Sequence, residues 1–408
     1  MNTVFIIIIT IILLEFIFDK SLDFLNLKNL SPKLPKEAEG IYDEEKYRKS
    51  QEYYKVNHNF SMLTSAISLI ALLLFLFFNG FAYADSFVRQ YAGNPIFMAL
   101  FFFAILGFAS DVLSLPFSLY KTFVIEEKFG FNKTTLQTFI LDKIKGYLLA
   151  GIIGGGLFSL IIWIYQSTGS YFWLFAWAVV SFVMIFITMF YTTFLVPVFN
   201  KLTPLPEGEL RTAIEDYCRK VGFKLNNLFV IDGSKRSAKA NAYFSGLGAK
   251  KTIVLYDTLI EKHTIEELVA VLAHEVGHYK KKHTLVGTIQ GIAQTGVMLF
   301  ILSLFLGNPA LAQALGTEQS SFHIDILAFG LLYSPLSEIL GIISNIISRK
   351  HEFEADAYAK ETYNGNALGT ALKKLSSDNL SNLKPHPAYV FVHYSHPPVL
   401  ERLKMLNK

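Results

Sequence analysis

The chain has 408 residues, of which 52% are hydrophobic and 15% aromatic but only 17% charged, below the ~25% charged share of soluble domains. That balance excludes disordered, collagen-like and coiled-coil classes, which need more polar or repetitive sequence, and makes a membrane protein the default reading. A formal net charge of +4 is too small to indicate a nucleic-acid partner, and the one cysteine, Cys218, rules out a disulfide framework or a multi-cysteine metal site, so any metal must sit on histidine and carboxylate.

Crossing ~30 Å of hydrocarbon takes about 17–25 apolar residues. Seven runs qualify, at roughly 3–18, 62–82, 96–118, 147–165, 172–196, 285–306 and 325–347. The first has no basic stretch before it and no small-residue cleavage site, so it reads as an uncleaved span rather than a signal peptide. Lys and Arg alternate between the connections: eight in 19–61, Arg89 alone in 83–95, five in 121–146, and none in 166–171 or 307–324. By the positive-inside rule this puts the N-terminus outside and the polar segments 197–284 and 348–408 in the cytoplasm. The chain then divides into 1–196 (spans one to five), 197–284, 285–347 (spans six and seven) and 348–408. Two acids, Asp111 and Glu338, fall inside predicted spans, where they must face water or protein.

Pro- and Lys-rich residues 31–37 read as a loop. Residues 207–221 (EGELRTAIEDYCRKV) predict an amphipathic helix, and 228–233, 241–248 and 251–257 predict three short strands with turns between them. Thr264 followed by Glu267 is a capping box that starts another helix. It carries His274-Glu275-Val276-Gly277-His278, an HExxH. Positions four apart share a helical face, so both imidazoles can hold one zinc ion, and Glu275 lies where it can take a proton from an activated water. A third protein ligand is needed, since catalytic zinc sites use three and leave one position open. SRKHEFEADAYAK, just past the last run, offers Glu352 or Glu354, with Asp356 placed to orient a ligand imidazole.

HEVGH followed by EFEAD after one intervening span resembles the type I CaaX prenyl endopeptidases, integral-membrane zinc proteases. IEEKFGFNKTT (125–135), VFNKLTPLPEGEL (198–210), NAYFSGLG (241–248) and SHPPVLERL (395–403) extend the resemblance along most of the chain. It implies an all-α membrane protein with seven transmembrane helices enclosing a water-filled chamber, and a small cytoplasmic α+β zinc-protease part. It further implies one zinc ion per chain on His274, His278 and Glu352, favouring Glu352 over Glu354, with Glu275 as general base and Asp356 as a supporting acid. The family often has Gln where this chain has Glu354. The strand at Asn241, Ala242, Tyr243 and Phe244 is similar to the family's edge strand and would pair with a substrate backbone. His396 and Arg402 are the resemblance's candidates for donors to the developing oxyanion. His58, His263, His283, His386 and His393 have no partner at ligand spacing and read as solvated or structural.

Glu338, Asn345 and Glu352, spaced seven apart, predict a polar stripe on one helical face leading up to the zinc. The implied substrates are proteins or peptides ending in CaaX with a prenylated cysteine, which lose their last three residues. The alternative is a quality-control protease for membrane proteins with no prenyl requirement. The partners are therefore peptide or protein and the lipid bilayer, with no nucleic acid. Lacking a retrieval tail, and a long insertion after the sixth span, the chain is assigned to a bacterial inner membrane, with the endoplasmic reticulum membrane as the alternative.

Overall fold

A computed structural model describes residues 2–31, 33, 34, 36, 39–225, 227–246 and 251–407. Pro32, Pro35 and Glu37 of the predicted loop, and Leu247 and Gly248 of the predicted second strand, lie outside the described residues. The N-terminal half is helical: α1 (Thr3–Lys28), α2 (Glu44–Phe77), α3 (Gly80–Tyr91), α4 (Pro95–Tyr120), α5 (Leu136–Leu149), α6 (Gly155–Thr168), α7 (Phe172–Phe194) and α8 (Val196–Phe199). A mixed segment follows: β1 (Leu202–Pro204), α9 (Glu209–Lys220), β2 (Asn227–Ile231), β3 (Ala242–Ser245), β4 (Thr252–Tyr256), α10 (Asp257–Ile260) and α11 (Ile265–Lys280). The rest is α12 (His283–Phe305), α13 (Pro309–Ala314), α14 (Phe322–Thr362), α15 (Gly365–Asp378), α16 (Pro387–His393) and α17 (Val399–Leu406).

Among the described residues, five helical stretches are long and apolar enough to cross a bilayer: Glu44–Phe77, Pro95–Glu126, Leu136–Phe199, His283–Phe305 and Phe322–Thr362. The seven expected runs map onto these unevenly. The fourth and fifth share the stretch Leu136–Phe199, which is interrupted at Gly169, with φ of 53°, and a 3₁₀ turn over Gly169–Tyr171. The first falls in α1, where Glu15, Asp19 and Lys20 dilute the apolar run. Large apolar side chains such as Phe97, Phe108, Phe182 and Leu304 stay exposed along the helices, a surface suited to lipid rather than water. Asp111 on α4 is neutralised by Lys143 of α5 at 2.6 Å, and Tyr147 donates to it as well. Helices α7 and α12 are locked where Trp177 Nε1 donates to the Ile292 carbonyl at 2.8 Å. Gly296 leaves room for that indole, since a Cβ there would come within 2.9 Å of the ring.

The sheet has the order β1-β2-β4-β3, with β2 and β4 parallel and the outer pairs antiparallel. Its central strand β4 is covered on both faces, so Ile253, Val254 and Leu255 are all fully buried and the strand reads as a continuous apolar run rather than an alternating one. Strand β1 is an element the sequence reading lacked, because it is three residues long and ends in Pro204. Strand β3 is left at the edge.

Helix α11 threads this core, with Leu268–Ala273 and Val276 buried against β4, α9 and α15. Its expected capping box is present: Glu267 N donates to Thr264 Oγ1 at 3.3 Å and Thr264 N to Glu267 Oε2 at 2.9 Å. Lys374 of α15 donates to the same carboxylate at 2.8 Å. Cys218 on α9 lies in this core, and burial pushes its thiol up from 9.0 to about 12. The folded protein keeps a proton that the unfolded chain sheds, so this group's contribution to stability is present below pH ~9 and falls as pH rises toward ~12. A maleimide added at pH 8 should leave Cys218 unlabelled until denaturant unfolds the protein; rapid native-state labelling would show the core to be open.

Candidate metal centre

Helices α11 and α14 cross where Gly277 faces Ala355. A Cβ on Gly277 would lie 3.1 Å from Ala355 Cα, 3.2 Å from its carbonyl oxygen and 3.2 Å from Tyr358 Cβ. Backbone is met on one side, so only a glycine lets the helices approach this closely. The approach carries Glu352 to the two histidines. His274 Nε2 is 3.1 Å from His278 Nε2, and Glu352 lies 3.5 Å from the first and 3.2 Å from the second. One ligand atom from each of the three falls within 4.8 Å of the others. Three atoms bound at about 2.0–2.1 Å around a tetrahedral ion would be spaced in this range. Glu352 Oε2 is buried and makes no hydrogen bond, facing only His274 Nε2 at 3.5 Å and the Arg402 guanidinium at 3.2 Å, so it has lone pairs left for a metal ion. The donor set is therefore suited to zinc. Gly277→Ala should force the helices apart, lowering stability by about 1–3 kcal/mol and weakening zinc binding, checked by denaturation and chelator competition.

Asp356 Oδ1 is 2.9 Å from His274 Nδ1, behind the ligand set and almost wholly buried. Burial by itself disfavours a charged imidazole, but the hydrogen bonds to Asp356 and Glu352 outweigh it and hold His274 up at about 9. Arg402 is nearly buried but borders the same cavity as the ligand candidates. Its Nε and one terminal nitrogen donate to Asp356 at 2.8 and 2.6 Å, and the other terminal nitrogen is 3.2 Å from Glu352 Oε2. The guanidinium is thus held by two carboxylates at the edge of the cavity. His396 is exposed at the mouth, with Nε2 3.4 Å from Glu352 Oε1. Glu275 is half-buried and lines the same cavity as the three ligand candidates. Glu354 points away, with Oε2 3.0 Å from His283 Nε2 and Oε1 3.8 Å from Lys350.

The cavity is about 770 Å³, and Asn241, Ala242, Tyr243 and Phe244 line one side of it. Among the described residues β3 pairs only with β4, and its other edge lies along that space. Below the ligands the wall is polar: Gln290 and Gln294 of α12 both donate to Ser344 Oγ, at 2.8 and 3.2 Å. The predicted stripe runs differently. Ser344 and Ser348, at four-residue steps from Glu352, line this cavity. Glu338 and Asn345 instead line a separate cleft with Glu15, Asp19 and His393, and Asn345 donates to the Val392 carbonyl at 2.7 Å. Sevenfold spacing drifts ~20° per step on a straight helix, and packing of α14 on α1 and α16 takes that face.

Fold and site together define a membrane metallopeptidase. Residues 23–201 match the CAAX prenyl protease N-terminal region of five membrane helices, and residues 204–408 match peptidase family M48. The CAAX prenyl protease 1 homolog of Oryza sativa subsp. japonica is 36% identical over 413 residues, covering 98% of this chain and 96% of the relative. CAAX prenyl protease 1 of Saccharomyces cerevisiae is 35% identical over 420 residues, covering 96% and 93%. The crystal structure of Ste24p from S. mikatae superposes with a TM-score of 0.93 at 34% identity, covering 100% of this chain and 99% of that one. The chain belongs to peptidase family M48, in the branch with the CAAX prenyl protease N-terminal region, and is a multi-pass integral membrane protein. These relatives are eukaryotic and lend nothing to a bacterial inner membrane.

Proposed function

We propose that this protein is a zinc endopeptidase that removes the last three residues of CaaX proteins carrying a prenylated cysteine. The carrying observation is the convergence of His274, His278 and Glu352 within 4.8 Å on a cavity with the outer edge of β3 along its side. Names of the relatives support the substrate class. When bound, zinc supplies a Lewis acid for the scissile carbonyl and an acidified water. The chain's own residues do the rest. Backbone groups of Asn241–Tyr243 hold the substrate as an added strand. Glu275 takes the proton of the attacking water and delivers it to the leaving amine. His396, the exposed donor over the site, hydrogen-bonds the developing oxyanion. Asp356 holds the His274 ring, and Arg402 holds Asp356 and Glu352 in place. His396→Ala would then lower kcat more than it raises KM.

The proposed membrane arrangement has seven spans: α1, α2, α4, α5–α6, α7, α12 and α14. The length of α1, 26 residues, supports counting it, since that exceeds the ~20 needed to cross. The break at Gly169 supports separating α5–α6 from α7. The polar wall of Gln290, Gln294 and Ser344 supports a water-filled chamber reaching into the bilayer. The Lys/Arg alternation supports a cytoplasmic catalytic part. Purified protein should cut a farnesylated CaaX peptide to release its C-terminal tripeptide, with Glu275→Ala inactive. Cleavage of an unprenylated unfolded membrane protein, with the farnesylated peptide untouched, would overturn the CaaX reading.

A further inference from the structure

Helix α11 ends in a turn at Lys281 and Lys282, and Lys282 has a left-handed φ of 62°. The reversal starts α12 at His283 directly behind His278. There His283 is buried, at 6% exposure, and its ring stacks on His351 with centroids 3.9 Å apart and planes 9° from parallel. His283 Nδ1 is 3.0 Å from His278 Nδ1, and His283 Nε2 is 3.0 Å from Glu354 Oε2. One proton arrangement satisfies the chain when His278 binds a metal. Nε2 of His278 is the atom grouped with His274 and Glu352, so its Nδ1 carries the hydrogen. His283 must then accept at Nδ1, which puts its own hydrogen on Nε2, aimed at the Glu354 carboxylate.

We propose that His283 and Glu354 are positioning residues for the metal, a carboxylate–imidazole relay that fixes the ring plane and tautomer of His278. This rests on the reading of His278 as a ligand. The two histidine ligands are then supported unequally. His274 has Asp356 directly on its Nδ1, whereas His278 reaches its carboxylate through an intervening imidazole whose far end is half exposed at Glu354. Carboxylates behind ligating imidazoles raise ligand basicity and typically contribute 10–100-fold in metal affinity. His351, stacked flat on His283, holds that ring in plane with no hydrogen bond of its own to the relay among those described.

The test uses the full-length protein in detergent, stripped of metal and titrated with zinc against a chromophoric chelator, with cobalt(II) substitution as a second readout. His283→Phe keeps a ring to stack on His351 and removes both nitrogens. It should lower zinc affinity by about 10–100-fold and shift the cobalt visible bands. Glu354→Leu, at the exposed end, should do the same by a smaller factor, and Glu354→Gln, which keeps an acceptor, should stay near the parent. His283→Gln restores an oxygen acceptor for His278 Nδ1 and should recover part of the loss. Parent-like zinc affinity and cobalt bands in His283→Phe would overturn the relay, as would a His283→Gln protein no better than His283→Phe. If His283→Phe does not fold, unchanged affinity and bands in Glu354→Leu overturn it. His278→Ala separates the two ideas. Retained zinc there sinks the ligand reading itself, whereas lost zinc beside normal His283 variants sinks only the relay.

Discussion

Replacing Glu275 with Gln should lower kcat by about 10²–10⁴, the usual contribution of a positioned general base, while leaving one zinc per chain. Glu275 sits beside His274 in sequence and lines the same cavity, yet it is not among the three residues whose ligand atoms converge. Gln matches the shape and keeps a hydrogen bond to water but cannot accept the proton. Peptide cleavage and metal content measured on one preparation check both halves. More than a tenth of the parent activity in Glu275→Gln would remove it from the proton path, and loss of zinc would make it a structural support instead.

The second large effect is expected behind the ligands. Arg402 is 9% exposed and Asp356 1%, and they share two hydrogen bonds of 2.6 and 2.8 Å. Asp356→Ala strips a buried guanidinium of its main partner, and breaking a buried pair from one side costs about 3–5 kcal/mol. It also frees the His274 ring. Stability and zinc affinity should therefore both fall. Replacing both partners by apolar residues of similar volume, Asp356→Leu with Arg402→Met, removes the uncompensated charge. The double variant should regain most of the stability and none of the zinc affinity. Denaturation midpoints and zinc titrations on the parent, Asp356→Leu, Arg402→Met and the double variant form the cycle that checks this. Single and double variants of equal stability would show that the pair is not energetically coupled.

The sequence carried much of this site because its parts obey helical spacing. His274 and His278 share a face of α11 at four residues, and Glu352 and Asp356 share a face of α14 at the same step. The choice between Glu352 and Glu354 could not be made by spacing alone; it follows from the Gly277–Ala355 crossing, which sets which side of α14 meets α11. His283 was missed for a physical reason. Continued as a helix, five residues would turn it ~140° from His278; only the left-handed residue Lys282 brings it back. A backbone conformation that non-glycine residues rarely adopt leaves no mark in residue type. Arg402 was legible as a residue of this neighbourhood but its carboxylate partners were not, because they come from a helix remote in sequence. The polar stripe erred for the same reason: face spacing said which residues align, but not that α1 and α16 would cover them.

The metal group draws on α11 for two atoms and α14 for the third, and Arg402, which ties Asp356 and Glu352 together, arrives on α17 near the end of the chain. The segment through α12 supplies two of the three ligand atoms, and the group closes only where α14 packs on α11. One compact centre thus joins segments 128 residues apart, from His274 to Arg402, so its geometry depends on the packing of the whole C-terminal half.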